Sequence, residues 1–454
     1  MSLDLFETEP PLKLLGRFAW PAIVSLMANA LYNVVDRAFV GQLVGTEALT
    51  AVSVVFPLMI AVFAVALGIG SGTATLVSLA LGRKDTNEAE AALTQTLGLS
   101  LAASLVVAGV LVWGTEPLLR LLATPESVVK PATEFFLVTL GGLPFLTVSI
   151  GVGNAIRSQG RAKTAMFTGL LGIVLNTILC ALFVGLWGWG LMGSAWATVL
   201  AQAAGAVVTV GFYFTRLSSL RFRWKHVPPQ GELLRRIVVL GLPSFLLEAI
   251  FVVVMFVLNA RVQEFGAEKA LASVGIINTI SGLFFMPAIG LVQGAVPLFG
   301  YYQGAGKADL NRQVFLWVLV ICTVFFTACT VVIEVFPEVL VGIFTRDPVL
   351  IGFCLDPLRV FLAVTPLAAL FVLPASYFQA IGRPVPALVI SLVRPAALVA
   401  LVIVVPHFWG FWGFLSTGPI SDGLGVLVAL GYLAADTSLR RKVPSVDSEG
   451  QRKP

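Results

Sequence analysis

Apolar residues along this chain fall into twelve long runs separated by short polar, glycine- or proline-marked connections. They lie at roughly residues 14–40, 48–80, 91–113, 131–155, 164–186, 190–215, 237–263, 270–302, 313–335, 354–378, 385–406 and 410–436. A helix of about 20 residues crosses a bilayer's hydrocarbon, whereas a barrel strand needs only about ten, so runs of this length predict membrane-spanning helices. The second and eighth runs exceed the crossing length and are expected to tilt, bend or extend beyond the hydrocarbon. The last run is interrupted by Ser416, Thr417, Ser421 and Asp422 around Gly418-Pro419, which leaves a re-entrant or surface segment as the alternative there. The pattern predicts an all-α, polytopic membrane protein with twelve transmembrane helices.

The connections carry the charge, and their alternation predicts sidedness. With the N-terminus placed inside, 21 of the 29 basic residues fall on the cytoplasmic side and six opposite, with Arg37 and Arg394 inside spans. That bias follows the positive-inside rule and puts both termini in the cytoplasm. The longest basic connection, residues 216–236, contains Pro228-Pro229-Gln230-Gly231 and divides the chain in two. Its interleaved basic and aromatic residues suit a loop facing lipid headgroups better than nucleic acid, because it joins two membrane-embedded halves. One constant displacement along the chain relates Pro21 to Pro243, Gly72 to Gly294, Pro144 to Pro366, Gly160 to Gly382 and Arg161 to Arg383. Breakers repeating at one offset argue for duplication, so the twelve helices are expected as two pseudo-symmetric six-helix bundles in the same orientation, enclosing a cavity between them. The expected units are a cytoplasmic tail (1–13), an N-lobe (14–215), the linker (216–236), a C-lobe (237–436) and a disordered cytoplasmic tail (437–454).

Composition removes the soluble classes. The chain is 58% hydrophobic and 12% charged, too little charge to cover the surface of a water-soluble fold. Cys180, Cys322, Cys329 and Cys354 show no metal-like spacing and read as ordinary thiols. His226 and His407 lie far apart and support no metal site. Phosphate-binding, zinc-protease and nucleophile-elbow motifs are absent, so no enzyme, no nucleotide and no organic cofactor is expected. Any transport would draw on an ion gradient or be passive.

Ionisable and amide side chains inside spans are costly and mark function when they line a cavity. In the first run Asn29, Asn33 and Asp36 are spaced four and three residues apart, with Tyr32 beside them, so they share one inward helix face. Asp36 is the strongest candidate, since a carboxylate binds a proton or a sodium ion. Asn154, Asn176, Thr198, Glu248 and Asp422 are the other polar candidates, with Asp422 also readable as marking a bend near Pro419. Tyr32, Asn33, Phe145, Met255, Met286 and Tyr377 are candidates for the wall of a cavity that takes large amphipathic cations.

The residues Tyr32-Asn33-Val34-Val35-Asp36 with Phe39-Val40-Gly41, the glycines from Gly68 to Gly72, Asn154-Ala155-Ile156-Arg157, Gly241-Leu242-Pro243-Ser244-Phe245 and Gln379-Ala380-Ile381-Gly382-Arg383-Pro384 together resemble the multidrug and toxic compound extrusion (MATE) transporters of prokaryotic drug-exporter type. The resemblance runs from residue 14 to about residue 433. It implies a monomeric inner-membrane antiporter that exchanges H⁺ or Na⁺ for amphipathic, mostly cationic drugs across a V-shaped cleft. It also implies a coupling-cation site at Asp36, a surrounding network from Asn154, Asn176 and Thr198, a second acid at Glu248, and a possible Na⁺ at Asp36 and Asn176. Related chains often carry Asp where this one has Cys180, which leaves one obvious negative ligand in the N-lobe. A flippase for lipid-linked precursors is the transport alternative and would line the cleft with many cations; a non-transporting scaffold would fill it.

Overall fold

The computed structural model describes residues 5–121, 124–262 and 267–436, without the side chains of 33–38, 46, 121, 259, 262 and 267–271. Asn33, Asp36 and the tail 437–454 therefore lie outside the described side chains or residues. The regular structure is helical: α1 (Pro11–Leu43), α2 (Thr46–Gly82), α3 (Thr86–Leu121), α4 (Glu126–Leu140), α5 (Leu143–Ser158), α6 (Ala162–Cys180) and α7 (Gly190–Phe212) form one bundle. The second contains α8 (Gly231–Val262), α9 (Ala267–Gly304), α10 (Ala308–Val335), α11 (Pro348–Leu362), α12 (Ala369–Ala380), α13 (Pro384–Val404) and α14 (Pro406–Ala435).

These make twelve crossings, because the fourth crossing of each bundle is built from two pieces. In the first bundle α4 and α5 bend by 45° across Gly141-Gly142. In the second, a 3₁₀ turn at Thr365–Leu367 separates α11 from α12. Pro144 opens α5 and Pro366 sits in that 3₁₀ turn, so the repeated proline marks the same break twice. A proline lacks the amide that would continue the helix and is tolerated in a first turn. The repeat also fixes the exits of these crossings: Gly160 has φ 83° and Gly382 has φ 81°, a left-handed turn that an L side chain disfavours. The last crossing is helical through Ser416–Asp422, and its break lies earlier than Pro419, at Gly410 (φ 57°, ψ −139°). A re-entrant segment at Gly418-Pro419 is thereby replaced by a continuous helix.

Packing distinguishes the two ends of the molecule. At the end bearing the basic connections, a single apolar core runs through both bundles, from Leu14, Phe18, Leu76 and Val152 to Ile237, Leu298, Phe326 and Phe378. Toward the opposite end the core divides. Val55, Val62, Phe135 and Phe136 cluster within the first bundle, while Val254, Leu258, Leu398 and Phe414, and separately Ile277, Ile280, Leu358 and Leu362, cluster within the second. The apolar core is therefore continuous between the bundles at the basic end and divided between them at the other.

Glycines allow the join. A Cβ on Gly72 of α2 would lie 2.0 Å from the Ile237 carbonyl oxygen of α8, and one on Gly294 of α9 would lie 2.5 Å from the Ala19 Cα of α1. Gly72 and Gly294 are a pair of the internal repeat, so α2 on α8 and α9 on α1 are the same contact made twice. Gly82 and Gly304, separated by the same displacement, meet each other across α2 and α9. Such close backbone approach is the means by which membrane helices associate where no hydrophobic drive separates them from lipid.

Candidate functional site

The polar cluster of the first bundle is built on α6 and α7. Asn176 and Thr198 are both buried, and Asn176 Nδ2 donates to Thr198 Oγ1 at 3.2 Å. Thr198 Oγ1 in turn donates to the Ser194 carbonyl of its own helix at 3.0 Å, which fixes its orientation. The other amide atom, Asn176 Oδ1, is buried without a hydrogen-bond partner among the described residues. An orphaned buried acceptor costs about 1–3 kcal/mol, so this oxygen is set to receive a proton donor or a hard cation. One turn further on, Cys180 is buried in a small cluster with Phe183, Val184 and Ala197, and Phe39 of α1 packs against that cluster. Immediately after Cys180 the helix widens into a π turn, Ala181–Leu186. Helices α1 and α6 run in the same direction across the molecule and pack together. The side chain of Asp36, on α1 three residues before Phe39, lies outside those described.

The structure brings Asn176 and Thr198 together and sets the other candidates elsewhere. Asn154 packs its amide against Gly70 of α2, where a Cβ would meet its Nδ2 at 2.7 Å. Glu248 is half-buried on α8 in the second bundle, without an ion pair among the described residues. Of the proposed cavity wall, Phe145 is exposed, while Tyr32, Met255 and Met286 are partly exposed. Tyr377 is not in the wall: it is buried in the second bundle, edge-on to Phe299 and Phe315 with ring centroids 5.2 and 5.0 Å apart. Its position in an apolar run did not distinguish core from cavity.

Asp422 also differs from its expected role as a bend marker. Arg394 of α13 donates to it, and the same guanidinium lies over the Phe371 ring of α12, 5.1 Å from its centroid. The carboxylate is buried, and its charge ties three helices of the second bundle together. A further cluster escaped sequence reasoning although its members stand in the quoted motifs. Gln379 Nε2 donates to the Leu240 carbonyl (2.8 Å), to Ser244 Oγ (2.9 Å) and to Ser71 Oγ (3.2 Å), so one amide links α12 and α8 to α2 across the join.

The linker, residues 216–236, has defined partners. It is clasped onto the first bundle: Gln159 Oε1 accepts from Ser218 Oγ, Ser219 N and Leu220 N, and Glu90 accepts from Arg221 N and from Arg223 Nε at 2.7 Å. Gln95 Nε2 donates to the carbonyls of His226 and Pro228. The buried His226 ring faces Asn87 Oδ1 through Nε2 and Gln230 Nε2 through Nδ1, both at 3.3 Å. Those partners demand a neutral ring, with Nε2–H donating and Nδ1 accepting. Burial, and after it the neighbouring Lys225, lower the His226 pKa from 6.5; Glu90 acts weakly the other way and Arg223 with Lys225. A lowered histidine pKa stabilises the fold above the unfolded value and loses that contribution as pH falls from about 6.5 through the folded value. Amide exchange of residues 216–230, corrected for intrinsic rates, should therefore accelerate over that acid interval, and His226→Gln should flatten the step.

The profile of the MatE family matches residues 21–182 and again 243–405, two stretches that open on the paired Pro21 and Pro243. The multidrug export protein MepA of Staphylococcus aureus strain N315 is 23% identical over 432 residues, 94% of each chain, and MepA of Staphylococcus saprophyticus is equally similar. A crystal structure of MATE in the bent conformation superposes with a TM-score of 0.88 at 23% identity, over 96% of this chain and 99% of that one. A multidrug resistance MATE family transporter of the MOP superfamily in an outward-facing conformation gives 0.88 at 24% identity, over 96% and 98%. A MOP superfamily transporter from Pyrococcus furiosus, described as having a binding pocket of reversed polarity that suggests a different function, also gives 0.88, at 23% identity over 97% and 99%.

Proposed function

Because this chain belongs to the MatE family, we propose that it is a multidrug exporter of the cell's inner membrane, with both termini cytoplasmic, that exchanges H⁺ or Na⁺ for amphipathic, mostly cationic compounds. The observation that carries this reading is the division of the core, one shared core at the basic end and separate cores at the other, which is the arrangement a cleft opening to the non-basic face requires. Under the positive-inside assignment that face is external, which supports reading this arrangement as the releasing state. Alternating access then consists of breaking the glycine contacts at the basic end and bringing the bundles together at the other.

Asp36 carries the coupling charge, with Asn176 Oδ1 and Thr198 supplying neutral oxygens and Asn154 supporting α2 behind them; Glu248 is the second-bundle acid. H⁺ and Na⁺ act here as co-transported substrates. An exchange of one cation for one monovalent drug cation is electroneutral and draws only on the ion's concentration gradient. For a neutral drug, one charge moving through 100 mV supplies about 2.3 kcal/mol, enough for a roughly 50-fold drug gradient. A flippase cleft would need cationic walls, whereas Arg394, mid-span in α13, is committed to Asp422. The test is uptake of a fluorescent cation into inverted vesicles with Na⁺ and pH gradients imposed separately. Uptake driven by neither gradient would overturn the proposal.

A further inference from the structure

At the basic end, on the outer side of the join, a cavity of about 200 Å³ is lined by Leu79 of α2, by Arg235, Arg236, Val239 and Leu240 of α8, and by Gly382 and Pro384 at the start of α13. That volume equals roughly six or seven waters, below the roughly 300 Å³ from which drug-sized pockets begin. It suits one small charged group with a few methylenes.

Its two arginines are differently occupied. Arg236 Nη1 is 2.7 Å from Glu88 of α3, which also accepts from Arg83, so this guanidinium is part of the join. Arg235 pairs with Glu232 three residues back, at 3.1 Å, and the two side chains are 71% and 69% exposed. Such an exposed pair contributes little and yields readily to a better anion. Depth supplies the second half of the recognition. Val239 stands one turn beyond Arg235, about 6 Å deeper along α8, and Val238 and Val239 are both exposed apolar residues continuous with the lipid-facing side of the span. The cavity thus straddles the level at which charge gives way to hydrocarbon, with guanidinium above and an apolar floor below.

We propose that this seam cavity binds the headgroup phosphate and first methylenes of an anionic phospholipid from the basic-side leaflet. Because Leu79 belongs to one bundle and the remaining lining to the other, the cavity is complete only while the bundles are joined. A lipid seated there binds the joined state in preference to the parted one and shifts the population toward it.

Binding is tested without transport, so its failure is distinguishable from failure of the export reading. Native mass spectrometry of the full chain, released from mixed phosphatidylglycerol and phosphatidylcholine micelles, should show selective retention of one phosphatidylglycerol. Arg235→Gln should weaken retention about five-fold, the worth of one basic residue at a membrane surface. Arg235→Lys should keep most of it. Val239→Trp should weaken it with the charge unchanged, by filling the floor. In nanodiscs, phosphatidylglycerol should slow hydrogen exchange over residues 231–245 in the wild type and not in Arg235→Gln. Equal retention of the two lipids, or retention unaffected by both Arg235→Gln and Val239→Trp, would overturn the proposal. Displacement of the lipid by millimolar inorganic phosphate would overturn the lipid assignment in favour of a free anion.

Discussion

Asp36→Asn is expected to reduce gradient-driven efflux to the level of empty vesicles while leaving insertion and folding intact. The substitution keeps the size of the side chain and removes the only feature that binds a proton or complements a cation's charge. A carboxylate inside a span adds a cost to insertion, so its neutral isostere should leave the protein no less stable. Asn176→Leu provides the companion. It removes the Oδ1 that has no partner among the described residues, and with it a cost of about 1–3 kcal/mol, offset in part by loss of the bond to Thr198. The protein should keep its thermal stability within a few degrees, while the ion concentration for half-maximal efflux rises roughly ten-fold, which corresponds to one oxygen ligand worth about 1.4 kcal/mol. Efflux by Asp36→Asn at wild-type rate would remove Asp36 from the mechanism. An unchanged ion dependence in Asn176→Leu would remove Asn176.

Much of the scaffold was legible because its signals are local. Crossing length, the proline breaks at Pro144 and Pro366 and the left-handed glycines at Gly160 and Gly382 each follow from a few adjacent residues, and the constant offset between the halves needs only the chain itself. Partner choice is not local. Asp422 and Arg394 stand 28 residues apart on different helices, and nothing in either run announces that they neutralise one another. Tyr377 looked like a cavity residue because an apolar run carries the same letters whether it faces a cleft or a core. The linker's hold on Glu90, Gln95 and Gln159 was hidden for a further reason. Proline and glycine punctuation marks where helices stop, and it is silent about polar side chains 60 to 135 residues away that receive the loop's amides. Asn176 and Thr198 lie between these extremes: each is an ordinary inter-helix polar residue in sequence, and only the pairing that leaves one oxygen over gives the site its chemistry.

The join itself gives the second large effect. Gly72→Leu should drive the bundles apart at the basic end, because even its Cβ would sit 2.0 Å from the Ile237 oxygen where ordinary contact begins at 3.4 Å. The obstacle is backbone, which cannot swing aside as a side chain can, so α8 must move by more than an ångström or the joined state must be abandoned. Overpacking of this kind costs about 1–3 kcal/mol, which lowers the population of the joined state by about 5- to 150-fold relative to the parted one. Gly294→Leu makes the same demand of α1 at Ala19. The two contacts are symmetry-related, involve separate helix pairs and share no partner, so their effects should add in the double variant. Each variant alone should narrow the open end of the cleft, measured as the distance between spin labels on Glu47 and Phe256, and the double variant should hold it closed. Gly275→Leu, at a glycine of the same α9 helix with open space beside its Cα, is the matched control and should leave the distance unchanged. Since a transporter must visit both states, the double variant should also lose efflux while retaining wild-type expression and a monodisperse elution profile. A label distance in the double variant equal to that of the wild type would mean that the bundles do not pivot about this seam.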